Sequence, residues 1–169
     1  MADYFSPTVI QPTIPLAAMT PLERLVLSHV FSTWADGDGL YFYAEETPAG
    51  VLTLSRAKLK AAVAASDGSS GAIHGYAAAR LAQTPAAECE IELDLTSDIG
   101  WERIFQDIVK RSPTLRCVTA VSAFTCSRMR PDGFGGMAVL ITADAIMAKS
   151  TSDFLEEFFA TAGLADALD

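Results

Sequence analysis

The clearest pattern of hydrophobic and polar positions lies in residues 88–95, where the two kinds of side chain alternate strictly. A period of two is typical of a strand that buries one face and exposes the other. The pattern predicts an inward set of Cys89, Ile91, Leu93 and Leu95. It predicts an outward, acidic set of Glu88, Glu90, Glu92 and Asp94.

The first helix is indicated by the residues at its N-terminal end. Thr20 precedes an apolar pattern of helical spacing, and Glu23 follows three positions later, as in a capping box. The spacing of apolar residues carries the predicted helix through Trp34, and Gly37 or Gly39 is expected to end it.

Four further helices follow from apolar spacing, caps and helix-forming composition. They are expected over residues 55–66, 72–83 and 101–111, and from Ser152 or Asp153 to Gly163. The buried faces are predicted to carry Trp101, Phe105 and Ile108 in the helix over 101–111, and Leu155, Phe158 and Phe159 in the last helix.

The remaining runs of β-branched and aromatic residues predict strands. They lie at residues 40–45, 51–54, 116–130 and 137–142. Residues 1–15 contain three prolines and are expected to form an extended N-terminal segment, in which residues 8–10 make at most a short edge strand.

The order of these elements predicts the fold class. Strands and helices alternate as β-α-β-β-α, an extra helix, and β-α-β-β-α, an order that allows two βαββα-like halves. A crossover between parallel strands fits within residues 88–127. We therefore expect residues 1–169 to form a single α+β domain, with helices packed on a mixed, mostly antiparallel sheet.

Charge limits the function. The net charge is −9, and Arg24 is the only basic residue among the first 50. An acidic surface repels phosphate, which argues against direct binding of nucleic acid.

No apolar run reaches the roughly 18 residues of a membrane span, and the N-terminal residues lack the basic start of a signal peptide. The expected location is the cytoplasm, away from membranes.

The residues that bind metals are few and scattered. The three cysteines form no C-x-x-C pair, which argues against a zinc site or a disulfide framework. The sequence that starts at Asp36 begins like a calcium-binding loop, but Thr47 occupies the position where such a loop needs a glutamate. We expect no metal and no cofactor.

The stretch RMRPDGFGGMAVLIT contains Arg130, Gly133 and Gly135 in the spacing R-x-x-G-x-G. It resembles the pyrophosphate-binding loop of the acetyl-CoA-dependent N-acetyltransferase superfamily. The resemblance implies an acyl-CoA-dependent transferase that uses these three residues. The same letters are typical of a turn, and the β-branched residues that follow favour a strand over the helix that a phosphate loop requires. We expect a hairpin tip.

The acidic set Glu88, Glu90, Glu92 and Asp94 is the remaining candidate site. Its carboxylates could stay solvated, pair with Arg116, Arg128 or Arg130, or bind a basic partner protein. The favoured function is a binding module, monomeric or homodimeric, without a catalytic centre of its own. The alternatives are the acyl-CoA-dependent N-acetyltransferase and an acidic decoy of a nucleic-acid-binding protein.

Overall fold

The computed structural model describes residues 2–66, 71–97 and 99–164, which form ten strands and five helices. The strands are β1 (Tyr4–Phe5), β2 (Thr8–Gln11), β3 (Ile14–Pro15), β4 (Ser32–Asp36), β5 (Gly39–Ala44), β6 (Val51–Ser55), β7 (Glu90–Asp94), β8 (Cys117–Cys126), β9 (Gly135–Thr142) and β10 (Ile146–Ser150). The helices are α1 (Pro21–Val30), α2 (Arg56–Ala65), α3 (Ala72–Gln83), α4 (Trp101–Arg111) and α5 (Thr151–Ala162). Within these residues, no helix is long and apolar enough to cross a membrane.

Eight strands form the main sheet, in the order β10-β9-β8-β2-β5-β3, with β1 added at β8 and β4 at β5. The predicted α+β class with a mostly antiparallel sheet is confirmed. The prediction that residues 8–10 form at most an edge strand is wrong, because β2 pairs with β8 on one side and with β5 on the other. Pro7 and Pro12 flank β2, so neither removes a hydrogen bond from inside the strand.

A second sheet contains only β6 and β7, paired antiparallel. Helices α2 and α3 pack against it. The predicted parallel crossover within residues 88–127 is therefore wrong, because β7 and β8 belong to different sheets and α4 connects them. Ile91, Leu93 and Leu95 are buried as predicted. Cys89 is exposed, contrary to prediction, since it lies before the first paired residue of β7.

The first helix ends earlier than its apolar spacing predicts. The capping box of Thr20 and Glu23 is present, but α1 stops at Val30. Trp34 lies in β4, which pairs with β5 through a turn at Gly37, where φ is +58°. Pairing with an aromatic strand across the two-residue turn Gly37-Asp38 outweighs the helical spacing of this one tryptophan.

The core lies between the main sheet and the helices. Phe105 and Ile108 of α4 are fully buried, as predicted, and Trp101 is half-buried. The Phe105 ring centroid lies 5.7 Å from that of Phe42 on β5 and 6.1 Å from that of Phe31, which follows α1. These aromatic contacts join α4 to the sheet and to the end of α1.

The last helix departs most from its prediction. It begins at Thr151, one or two positions before the expected start, with Ser150 as its N-cap, and Gly163 ends it in the left-handed conformation with φ +72°. Leu155 and Phe158, expected to be buried, are exposed, and Phe159 is half-buried. Helix α5 contacts β9 and β10, at one end of the main sheet, and the described part of the chain leaves most of its apolar side chains exposed.

Candidate functional site

The R-x-x-G-x-G stretch lies at the connection between β8 and β9. The two strands pair antiparallel from Cys117 and Thr142 to Phe124 and Gly135, as the hairpin prediction requires. Gly135 begins a strand rather than a helix, so the helix N-terminus that would face a pyrophosphate is not found at this loop.

The other two residues of the motif, Arg130 and Gly133, lie in the connection between β8 and β9. Arg130 is exposed. Gly133 is buried in a short 3-10 turn, where a Cβ atom would collide with the side chain of Cys126. The hairpin therefore packs in this way only with a glycine at position 133.

The outward set of β7 faces solvent. Its members are Glu88, Glu90, Glu92 and Asp94, all exposed. Across the strand pair lie Val51, Thr53 and Ser55 of β6, rather than Arg116, Arg128 or Arg130. Hydrogen bonds from the Thr96 hydroxyl (2.6 Å) and backbone N–H (2.8 Å) lower the pKa of Asp94.

Two arginines approach this strand but bind its backbone. The Arg80 Nε donates to the carbonyl of Glu92 at 3.1 Å, and Arg56 donates to the carbonyl of Glu88 at 2.6 Å. Among the described residues, no group of three His, Cys, Asp or Glu side chains is placed to hold a metal ion.

A larger candidate surface is the side of the main sheet that faces away from α4. Strand register sets its residues in two rows, because directly paired residues point to the same face. One row contains Ser32, Tyr43, Val9, Val121, Ala138 and Lys149. The other contains Trp34, Tyr41, Gln11, Thr119, Leu140 and Met147. These twelve residues are called the outer sheet face below.

Aromatic and aliphatic side chains dominate the outer sheet face. Trp34 is 69% exposed, and the rings of Tyr41 and Tyr43 stack with their centroids 5.6 Å apart. Together with Val9 and Val121 they line an open, apolar cavity of about 550 Å³. Large exposed apolar patches of this kind mark interaction sites on soluble domains.

Lys149 is the one charged residue among the twelve. Its Nζ lies 2.5 Å from a carboxylate oxygen of Glu157 on α5, and 4.4 Å from the ring centroid of Phe154. These contacts place α5 beside the β9–β10 end of the outer sheet face. Strand alternation puts Asp36, the last residue of β4, on the same side as Trp34, so it adds one exposed carboxylate at the margin of the face. The face thus carries few charges on a chain whose net charge is −9.

A second cavity, of about 790 Å³, opens on the opposite side of the sheet, beside the N-terminal end of α4. Met137, Val139 and Ile146 form part of its apolar wall, and the Thr8 and Ser122 hydroxyls hydrogen-bond to each other there at 2.8 Å. Burial raises the pKa of Glu102 in the same cavity. Among the described residues that line this cavity, Glu102 and Arg103 are the charged ones.

The outer sheet face was missed from the sequence. The alternation of Tyr41, Phe42 and Tyr43 does carry a signal, since Phe42 is fully buried and the two tyrosines take the other face. What the sequence does not reveal is that β4 adds Trp34 to these tyrosines and that β2 and β8 continue the surface.

Comparison with protein-family models, with curated proteins and with solved structures finds no match to this chain.

Proposed function

We propose that the chain is a protein-interaction module whose binding surface is the outer sheet face. It acts by association, as a monomer or a homodimer, and has no catalytic centre of its own. The observation that carries this proposal is the exposure of Trp34, 69%, beside Tyr41 at the β4 end of an apolar surface with few charges.

The composition of the face supports binding to protein rather than to a polar ligand. Tryptophan and tyrosine provide most of the energy at protein interfaces, because they bury a large area at a small cost in side-chain entropy. Here three such residues, Trp34, Tyr41 and Tyr43, lie side by side on paired strands. A rigid sheet holds them in place, so little order is lost on binding.

The acidic strand gives a second, weaker basis for association. Its solvated carboxylates would speed the approach of a basic partner, as charges at the rim of an interface do. Binding through Glu88, Glu90, Glu92 and Asp94 stays a prediction, as does the acidic decoy. The free cysteines suit action in a reducing compartment such as the cytoplasm.

The proposal is tested with displayed random peptides. The chain is immobilised sparsely, so that a neighbouring copy cannot occupy its surface, and peptides are selected for binding. Affinities are then measured for the unmodified chain, for Trp34→Ser and for the control Val51→Ser. Val51 is also exposed, at 52%, but lies on the smaller sheet.

We expect the selected peptides to lose at least about thirtyfold in affinity on Trp34→Ser, as for a binding hot spot, and to tolerate Val51→Ser. Peptides that bind Trp34→Ser as tightly as the unmodified chain would overturn the proposed function.

A further inference from the structure

Helix α5 presents an apolar surface that residues 2–66, 71–97 and 99–164 leave exposed. Phe154, Leu155 and Phe158 are 45%, 55% and 64% exposed and lie within one helical turn of one another. An isolated helix of 12 residues is marginal in water, and packing of an apolar face provides most of the stability of helices in proteins. The exposed apolar side chains of α5 are therefore suited to pack against the surface of another protein molecule.

We propose that a second copy of the chain supplies that surface: α5 of each copy packs on the outer sheet face of the other in a two-fold symmetric dimer. This inference rests on the proposed function, because it names the protein that the outer sheet face binds.

The position of α5 supports this arrangement. In the row that contains Val9 and Val121, Lys149 is the end member, and its contacts with Phe154 and Glu157 hold α5 next to that end. The helix and the sheet face therefore adjoin one another on one side of the chain. A two-fold axis between them brings each helix onto the other copy's sheet, as a self-complementary interface requires.

The available area matches that of a stable dimer. The residues that contribute most of this area are all 39% or more exposed: Trp34, Val9, Val121 and Met147 on the sheet, and Phe154, Leu155 and Phe158 on α5. With about 150–250 Å² for each aromatic side chain and somewhat less for each aliphatic one, the two surfaces offer roughly 800 Å² per copy. A standard specific interface buries about this area on each partner.

Charge favours the same surface. Two copies that each carry −9 repel one another, so they associate best where few charges meet. The outer sheet face carries Lys149 as its single charge, and Glu157 of the same chain neutralises it. The acidic strand β7 lies on the other sheet, away from the proposed contact.

Sedimentation equilibrium of the full chain tests the dimer. We expect the unmodified chain to be dimeric at micromolar concentration. Trp34→Ser and Phe158→Ser should each raise the dimer dissociation constant by at least about thirtyfold, and Val51→Ser should leave it unchanged. Circular dichroism confirms that each variant is folded. A monomeric unmodified chain at about 100 μM would overturn the inference.

Mixing the two variants tests the exchange of helices. A pair made of one Trp34→Ser chain and one Phe158→Ser chain keeps one intact helix-on-sheet contact, whereas either variant alone keeps none. We expect the mixture to dimerise more tightly than either variant and more weakly than the unmodified chain. A mixture no tighter than the separate variants would overturn the exchange.

The outcomes separate the two proposals. If Trp34→Ser abolishes the dimer and Phe158→Ser does not, the outer sheet face binds a second copy without α5, so the inference fails and the proposed function stands. If neither variant affects a dimer that does form, the inference fails. The peptide experiment then decides the proposed function separately.

Discussion

Phe105 is the residue at which α4, β5 and the end of α1 meet, and its ring is fully buried. Truncation to alanine should destabilise the fold by on the order of 3–5 kcal/mol, because it leaves a cavity among packed rings. Urea unfolding measures the loss. The control Phe134→Ala removes a ring that is 45% exposed, and a loss of under about 1 kcal/mol is expected for it. Equal losses in both variants would contradict this description of the core.

Glu23 is a buried carboxylate with partners on two elements. It accepts a hydrogen bond from the Thr20 backbone N–H at 2.9 Å, and Arg111 donates to both of its oxygens, at 2.8 and 2.6 Å. Arg111→Met should cost about 3 kcal/mol, because it leaves a fully buried charge without its cation.

The matched variant Arg111→Lys keeps the positive charge and should cost less than Arg111→Met. Thermal or urea unfolding of both variants gives the comparison. A loss below about 1 kcal/mol on Arg111→Met would show that the buried pair is not important for stability.

Glu102 makes stability depend on pH. Burial raises the pKa of its carboxyl group, so the ionised form is disfavoured in the fold. Its stabilising contribution is complete below the unfolded pKa of about 4.3 and is lost as pH rises through the higher folded pKa. Glu102→Gln should therefore be more stable than the unmodified chain at about pH 7 and equal to it at about pH 4 or below.

Urea unfolding across this pH range measures the difference. Glu156→Gln, an exposed position on α5, serves as the control and should show no such trend. A gain on Glu102→Gln that is constant across the range would exclude titration of Glu102 as its cause.

At the scale of elements, β7 allows a specific prediction about its acidic face. Glu90 and Glu92 face solvent, opposite Ser55 and Thr53 of β6. Replacing both with glutamine should change stability by less than about 0.5 kcal/mol, or raise it slightly through reduced repulsion. Urea unfolding at low and high salt checks this, and a salt-sensitive loss would reveal an ion pair at this face.

Helices and strands followed from the sequence where local signals agree. The capping box and apolar spacing located the start of α1, and strict alternation located β7. Prediction failed where a distant partner decides the structure. Trp34 fits a helix by spacing, yet pairing with Tyr41 places it in β4. Strand β10, Ile146–Ser150, went unpredicted because it is short and depends on β9.

The candidate surface could not be predicted for the same physical reason. Local alternation shows which face of a single strand is apolar, but not which strands lie side by side. The outer sheet face exists because β2, from the start of the chain, pairs with β8. The apolar stripe of α5 was visible in the sequence, but its exposure among the described residues was not, since amphipathic helices usually cover their own sheet.

For the whole molecule, the proposed dimer predicts a melting temperature that depends on concentration. Binding that occurs only in the folded state stabilises it by mass action. A tenfold increase in concentration should raise the melting temperature of the unmodified chain by roughly 2 °C, given about 1.4 kcal/mol per dimer. Phe158→Ser, which weakens the dimer, should show a smaller shift at the same concentrations. Calorimetry at several concentrations measures both.

The central place of β2 has a consequence for biosynthesis. A ribosome makes residues 8–11 more than a hundred residues before their neighbours in β8, residues 117–126. During that interval β2 can pair with β5 on one side, but its partner strand on the other side, β8, has not been made. Sheets that wait for such distant segments form slowly, and their open edges invite pairing with other chains. We therefore expect the β8 side of β2 to stay open to pairing with other chains until β8 leaves the exit tunnel.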